Sequence, residues 1–103
     1  MFKLIILLRK KTDFTDEQFT NYCLKTHALL ARKMPGLRRY VVNVVMPPPK
    51  REPDYNGVVE LWFDNVDAMK NAFSSPEGQA TQKDTETFTA SRTTMYIDEH
   101  SIM

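Results

Sequence analysis

The segment from Phe2 to Leu8 constrains the fold more than any other part of the chain. It contains six apolar residues and a single lysine. A run this short and this rich in aliphatic side chains is typical of a strand, and because side chains alternate between the two faces of a strand, both faces here are apolar. Such a strand belongs to a sheet that is covered on both sides. The sequence therefore indicates covering layers on both faces, and it hints that a partner supplies one of them.

A helix is predicted to follow, between Thr15 and Pro35. Thr15 is suited to the N-cap position and Gln18 stands three residues later, which is the pattern of a capping box. The helix ends at Pro35-Gly36, because the residue before a proline resists helical geometry and glycine suits the exit turn.

The remaining elements follow from similar patterns. Strands are predicted at 38–46, 57–63 and 93–98, with one helix capped by Asn65 and another capped by Ser75. The order strand, helix, strand, strand, helices, strand predicts an α+β, ferredoxin-like fold, in which the helices cover one face of an antiparallel sheet. A chain of this length is expected to form one domain, residues 1–103. The segment Pro47 to Asp54 carries four prolines and predicts an exposed loop, a natural place for variation or for a lid.

The second face of the sheet predicts the oligomeric state. We expect this face to present Trp62 and Tyr96 with several aliphatic residues, and an uncovered apolar face of that size is unfavourable in water. A second copy stacked sheet to sheet about a two-fold axis would cover it, so the sequence predicts a homodimer that closes an α+β barrel. Glu60 shares a strand face with Trp62, where the two could form a pocket wall or, as we prefer, the dimer interface.

Composition excludes several classes of partner. The net charge of +1 provides no basic face for nucleic acid, and the apolar run at the start is too short to span a membrane. A single cysteine cannot form an internal disulfide, which favours a cytoplasmic protein. No phosphate-binding glycine loop is present, and His100 has no neighbours with metal-ligand spacing. The sequence predicts no cofactor and no metal.

Two candidate residues lie on the first helix, four positions apart. His27 is predicted at the edge of the apolar arc, about 60° from its centre, where it would reach a cavity and still touch solvent. There it could act as a general acid or base, or simply bond a backbone carbonyl. Cys23 could be a nucleophile beside an imidazolium or a small apolar filler. No Asn or Asp that would orient the pair is identifiable, which favours the filler.

A family resemblance extends over nearly the whole chain. Its motifs are Phe19, Tyr22, Thr26-His27-Ala28, Met34-Pro35-Gly36-Leu37, Tyr40, Glu60-Leu61-Trp62-Phe63, Ser75-Pro76-Glu77-Gly78, Asp84 and Phe88. In order and spacing they resemble the EthD-like branch of the dimeric α+β barrel proteins. The resemblance implies a cavity between sheet and helices. The nearest characterised type that it resembles is methylmuconolactone methylisomerase, and that likeness implies Cys23, His27 and Tyr40 as the catalytic positions.

The same resemblance implies a function. It favours a cofactor-independent enzyme of isomerase or cyclase type that moves a proton on a small apolar oxygenated compound. Two alternatives remain open: a non-catalytic ligand-binding or accessory protein that supports an oxygenase in degrading ethers or aromatics, and a cofactor-free oxidoreductase. The chain departs from many EthD-like sequences at Leu29, where they have proline, and in its proline-rich loop.

Overall fold

The computed structural model describes residues 1–103 as one four-stranded antiparallel sheet with helices on one face. The strands are β1 (Phe2–Lys10), β2 (Arg39–Val44), β3 (Gly57–Phe63) and β4 (Thr89–Ile97), in the spatial order β2-β3-β1-β4. The helices are α1 (Asp16–Tyr22), α2 (Ala28–Ala31), α3 (Val66–Ser74) and α4 (Pro76–Phe88), and a π-helical segment (Cys23–His27) joins α1 to α2. None of them has the length and apolar character that crossing a bilayer requires. The predicted α+β, ferredoxin-like arrangement is confirmed.

The first helical region begins as the sequence predicts, but its last helix, α2, ends at Ala31, before the predicted end at Pro35-Gly36. The Thr15 hydroxyl accepts a hydrogen bond from the backbone N–H of Gln18 at 3.1 Å, and the Gln18 side chain accepts one from the N–H of Thr15 at 2.9 Å. The capping box is therefore confirmed. After α2 the chain turns through Gly36, whose φ of +80° lies in the left-handed region that glycine adopts without strain.

The π-helical segment changes which side chains the first helical region buries. In a regular α-helix, residues four apart drift around the axis by about 40° per step. The wider π turn reduces this drift, so Phe19, Cys23, His27 and Ala31 form one buried stripe. The expectation that His27 lies at an edge of the arc where it touches solvent is therefore wrong, because the residue is only 6% exposed.

The register of the sheet assigns Trp62 and Tyr96 to opposite faces. Leu4 pairs with Leu61 on one side and with Tyr96 on the other, so these three side chains share the face beneath the helices. Lys3 pairs with Trp62 and with Ile97 on the opposite, open face. The expectation that Tyr96 lies on the open face is wrong. Alternation along β4 gives two sets of residues, but only the pairing with β1 decides which set faces the helices.

The open face combines charged and apolar side chains. The Lys3 ammonium lies 2.6 Å from the Glu60 carboxylate and 3.0 Å from that of Glu99. The Trp62 indole donates to Glu99 at 3.2 Å and lies beneath the Arg39 guanidinium at 4.6 Å. Around this cluster, half-buried aliphatic side chains remain uncovered by the chain's own helices, namely Ile5, Leu7, Val41 and Val58.

Candidate functional site

A cavity of about 520 Å³ lies between the sheet and the helices. Aliphatic side chains of β1 and β3 line it, and His27 and Tyr40 contribute polar groups to its wall. The cavity is also lined by Thr81, Gln82 and Thr85 from α4, by Lys70, Phe73 and Ser74 from α3, and by Arg92, Thr94 and Tyr96 from β4. Cys23, Glu60 and Trp62 are absent from the lining, as is the whole loop from Pro47 to Asp54. That loop is therefore no wall of this cavity.

A carboxylate from α4 holds the imidazole of His27. The Nδ1 atom of His27 lies 2.8 Å from Oδ2 of Asp84, whose side chain is 15% exposed. Because an ionised carboxylate only accepts hydrogen bonds, Nδ1 carries the proton in this contact. The other ring nitrogen, Nε2, is left free to exchange a proton with a ligand. The ring also packs against Phe88, with the two centroids 4.9 Å apart, so its orientation is fixed on two sides.

The second oxygen of Asp84 is engaged as well. The Tyr22 hydroxyl donates to Oδ1 of Asp84 at 2.6 Å, and this hydrogen bond raises the pKa of the tyrosine above its usual range. The Thr87 hydroxyl in turn lies 3.2 Å from the Tyr22 oxygen. Asp84 is thus fixed by two partners on the first helical region. We call the group Tyr22, His27 and Asp84 the cavity-wall network, although only His27 itself lines the cavity.

Asp84 is the residue that sequence reasoning missed. The sequence offered no identifiable Asn or Asp to orient the Cys23–His27 pair; in the structure Asp84 orients the His27 imidazole. The two residues are separated by 57 positions and lie on different helices, so no local spacing brings them together. The available signal was the occurrence of both residues within the family motif.

Cys23 lies one helical turn before His27 but contributes nothing to the cavity wall. Its side chain is fully buried, and burial raises the pKa of the thiol to about 11. The thiolate is the nucleophilic form of cysteine, and at neutral pH a thiol with this pKa is almost entirely protonated. The burial and the raised pKa favour the packing interpretation of Cys23 over the nucleophile.

Tyr40 is the second residue of β2 and lines the same cavity as His27. Burial, with a smaller contribution from the nearby Cys23, raises the pKa of its phenol far above the usual range. Tyr40 therefore keeps its proton at any physiological pH and can donate a hydrogen bond to an oxygen of a bound molecule. The structure thus brings two of the three predicted positions, His27 and Tyr40, to one cavity.

The side chains that commonly bind metal ions are spread apart in this structure. No group of three His, Cys, Asp or Glu residues is close enough together to hold a metal ion. Asp84 is hydrogen-bonded to the His27 imidazole through one oxygen and accepts a hydrogen bond from the Tyr22 hydroxyl through the other. The groups at the cavity are therefore suited to hydrogen bonding and proton exchange.

Solved structures support the fold. An EthD family protein from Bacillus halodurans superposes with a TM-score of 0.82 at 29% identity, over 97% of this chain and 100% of that one. A dimeric protein of unknown function from Bacteroides fragilis matches with a TM-score of 0.72 at 23% identity, over 95% of each chain. SnoaB, a cofactor-independent oxygenase from Streptomyces nogalater, matches with a TM-score of 0.62 at 14% identity, over 98% of this chain and 96% of that one.

Comparison with protein families gives a more specific result. No functionally curated protein matches the sequence. Residues 11–92 match the EthD domain, and this range contains Tyr22, His27, Tyr40 and Asp84. The match includes most of the chain and all three residues of the cavity-wall network. The chain therefore belongs to the EthD domain family.

Proposed function

We propose that this protein is a cofactor-independent enzyme that moves a proton on a carbon next to a carbonyl group, in a small apolar oxygenated compound. The observation that carries the proposal is the Asp84–His27 pair at the wall of a largely apolar cavity, with Nε2 of the imidazole unengaged. A histidine titrates near neutral pH, and a carboxylate on its far nitrogen stabilises the imidazolium that forms when Nε2 takes a proton.

The proposed reaction needs only groups that the chain supplies. Nε2 of His27 removes a proton from the carbon beside the carbonyl, the electron pair of the broken C–H bond forms a C=C bond to the carbonyl carbon, and the π pair of the carbonyl moves to its oxygen. The Tyr40 hydroxyl donates a hydrogen bond to that oxygen while it carries negative charge. The imidazolium then returns the proton to another atom of the same molecule. The product is an isomer of the substrate, so no oxidant or reductant is consumed.

The test is proton exchange with solvent. Small lactones and aryl 1,3-diketones are incubated with the protein in D₂O, and loss of the proton signal beside the carbonyl is followed by NMR. We expect exchange above the buffer rate, and a decrease of roughly 10²-fold to 10⁴-fold in His27→Ala, as is typical for removal of a general base. The matched control is His100→Ala, which removes the other histidine, exposed near the chain end.

The outcomes separate the catalytic proposal from the alternative of a binding protein. Equal exchange rates in His27→Ala and wild type would remove His27 from the mechanism. Compounds that bind in the cavity without any exchange would favour the non-catalytic ligand-binding protein. The proposed enzyme is supported over that alternative by the polar groups of His27 and Tyr40 in the cavity wall.

We also propose that the protein acts as a homodimer that joins through its open sheet faces. Half-buried aliphatic side chains on that face have no covering layer within the chain, and two structurally similar proteins, from Bacteroides fragilis and Thermobifida fusca, are described as dimeric. Sedimentation at micromolar concentration tests this proposal. A stable monomer would contradict it, whereas Trp62→Glu is expected to shift a dimer toward monomer.

A further inference from the structure

The charged side chains at the cavity are all of one sign. Lys70 and Arg92 line the cavity, and no aspartate or glutamate does, although the chain contains 14 basic and 13 acidic residues. Neither cation forms an ion pair elsewhere in the chain. The cavity is therefore an apolar space with two unpaired positive charges at its boundary.

The two cations belong to one continuous rim. Arg92 on β4 donates to the backbone carbonyl of Gln82 at 3.3 Å, and the Gln82 side chain donates to the carbonyl of Phe73 at 3.1 Å. Phe73 stands three residues after Lys70 on α3, so the two lie on the same side of that helix. Lys70 and Arg92 are both exposed, whereas His27 is buried. The cations thus mark the open end of the cavity and His27 an interior wall.

We infer that the ligand of this cavity is an amphipathic carboxylate, whose apolar body lies against β1 and β3 and whose carboxylate group is held at the rim by Lys70 and Arg92. An arginine fork and a lysine ammonium both form charge-assisted hydrogen bonds to carboxylate oxygens. A ligand in this orientation directs its far end toward His27 and Tyr40. The inference deepens the proposed function, since it names the substrate class of the same cavity.

The experiment compares 2-naphthoate with 2-naphthamide, which has nearly the same shape and no charge. Binding to the wild-type protein is followed by amide chemical shifts, with shifts expected at the cavity residues Ile6 and Val59. We expect the carboxylate to bind about tenfold or more tightly than the amide, as charge-assisted hydrogen bonds provide. The preference is expected to decrease as salt is added, because the rim is exposed.

Variants then test whether Lys70 and Arg92 cause the preference for the carboxylate. The double variant K70Q/R92Q is expected to bind the two probes equally, while Lys83→Gln, an exposed lysine of α4 that does not line the cavity, retains the preference. His27→Ala is also expected to retain it, so that a failure of the catalytic proposal leaves this result intact. Equal affinities in the wild-type protein, or a preference that survives in K70Q/R92Q, would overturn the inference.

Discussion

The two faces of the sheet each carry a hydrogen-bonded group of ionisable side chains, and the two groups differ in how completely they are paired. On the open face, Lys3 lies between Glu60 and Glu99, so that each charge has an opposite charge beside it. On the helix side, the cavity-wall network engages both oxygens of Asp84 but only one nitrogen of His27. A polar group left unpartnered beside a cavity is available to a ligand, whereas a fully paired cluster serves stability or assembly.

The electrostatic consequences follow the same division. Hydrogen bonds from Lys3 lower the pKa values of both Glu60 and Glu99, and the two carboxylates raise the pKa of Lys3. Each group on the open face is therefore held in its charged form. On the helix side of the sheet, burial keeps the Cys23 thiol and the Tyr40 phenol in their neutral forms. The cluster on the open face therefore keeps its groups charged, whereas the buried part of the helix side keeps these two groups neutral.

The largest expected effect separates the two groups by activity. Asp84→Asn removes the charge that stabilises the imidazolium of His27, and turnover in the D₂O exchange assay is expected to decrease by roughly 10²-fold or more. The matched variant on the open face, Glu60→Gln, is expected to leave turnover unchanged. Equal losses in the two variants would show that the pairing difference has no functional meaning.

The second prediction concerns stability. Phe88 is fully buried and contacts the rings of Phe19, Tyr22 and His27, with centroids 4.9 to 5.6 Å away. Phe88→Ala is expected to lower the free energy of unfolding by about 3–5 kcal/mol, measured by urea denaturation. Leu7→Ala on the open face, where the side chain is only half-buried, is expected to act mainly through assembly, so its cost should grow with protein concentration. A concentration-independent loss in Leu7→Ala would argue against the open face as the dimer interface.

The third prediction tests whether Cys23 belongs to the reactive groups of the cavity. With a pKa of about 11, its thiolate fraction at neutral pH is roughly 100-fold below that of an ordinary thiol, before its burial is considered. Alkylation by iodoacetamide is expected to be at least that much slower than alkylation of free cysteine. An alkylation rate equal to that of free cysteine would support Cys23 as a nucleophile.

The smallest expected effect is the pH dependence of the open face. Because Lys3 lowers the pKa of Glu60 below its ordinary value of 4.5, the stabilisation from this pair is complete above that value and is lost as the pH falls through the lowered pKa. Thermal unfolding should therefore show a smaller difference between wild type and Glu60→Gln at pH 3 than at pH 7. A difference that stays constant between these pH values would contradict the pairing of Glu60 with Lys3.

Much of the fold could be predicted because its signals are local. The capping box at Thr15, the exit through Gly36 and the caps at Asn65 and Ser75 each depend on residues within a few positions of one another. The register of β4 could not be predicted in this way. Both of its alternating sets contain polar and apolar residues, and the choice between them depends on pairing with β1, which lies at the other end of the chain.

The sequence by itself determined the element order, the helix caps and the candidates His27 and Tyr40, because each depends on short-range patterns or on a family motif. Only the tertiary structure decided that Asp84 orients His27, that Cys23 lies outside the cavity and that the cavity rim carries cations alone. The physical reason is that hydrogen bonding, burial and charge pairing act between side chains that folding brings together from separate elements.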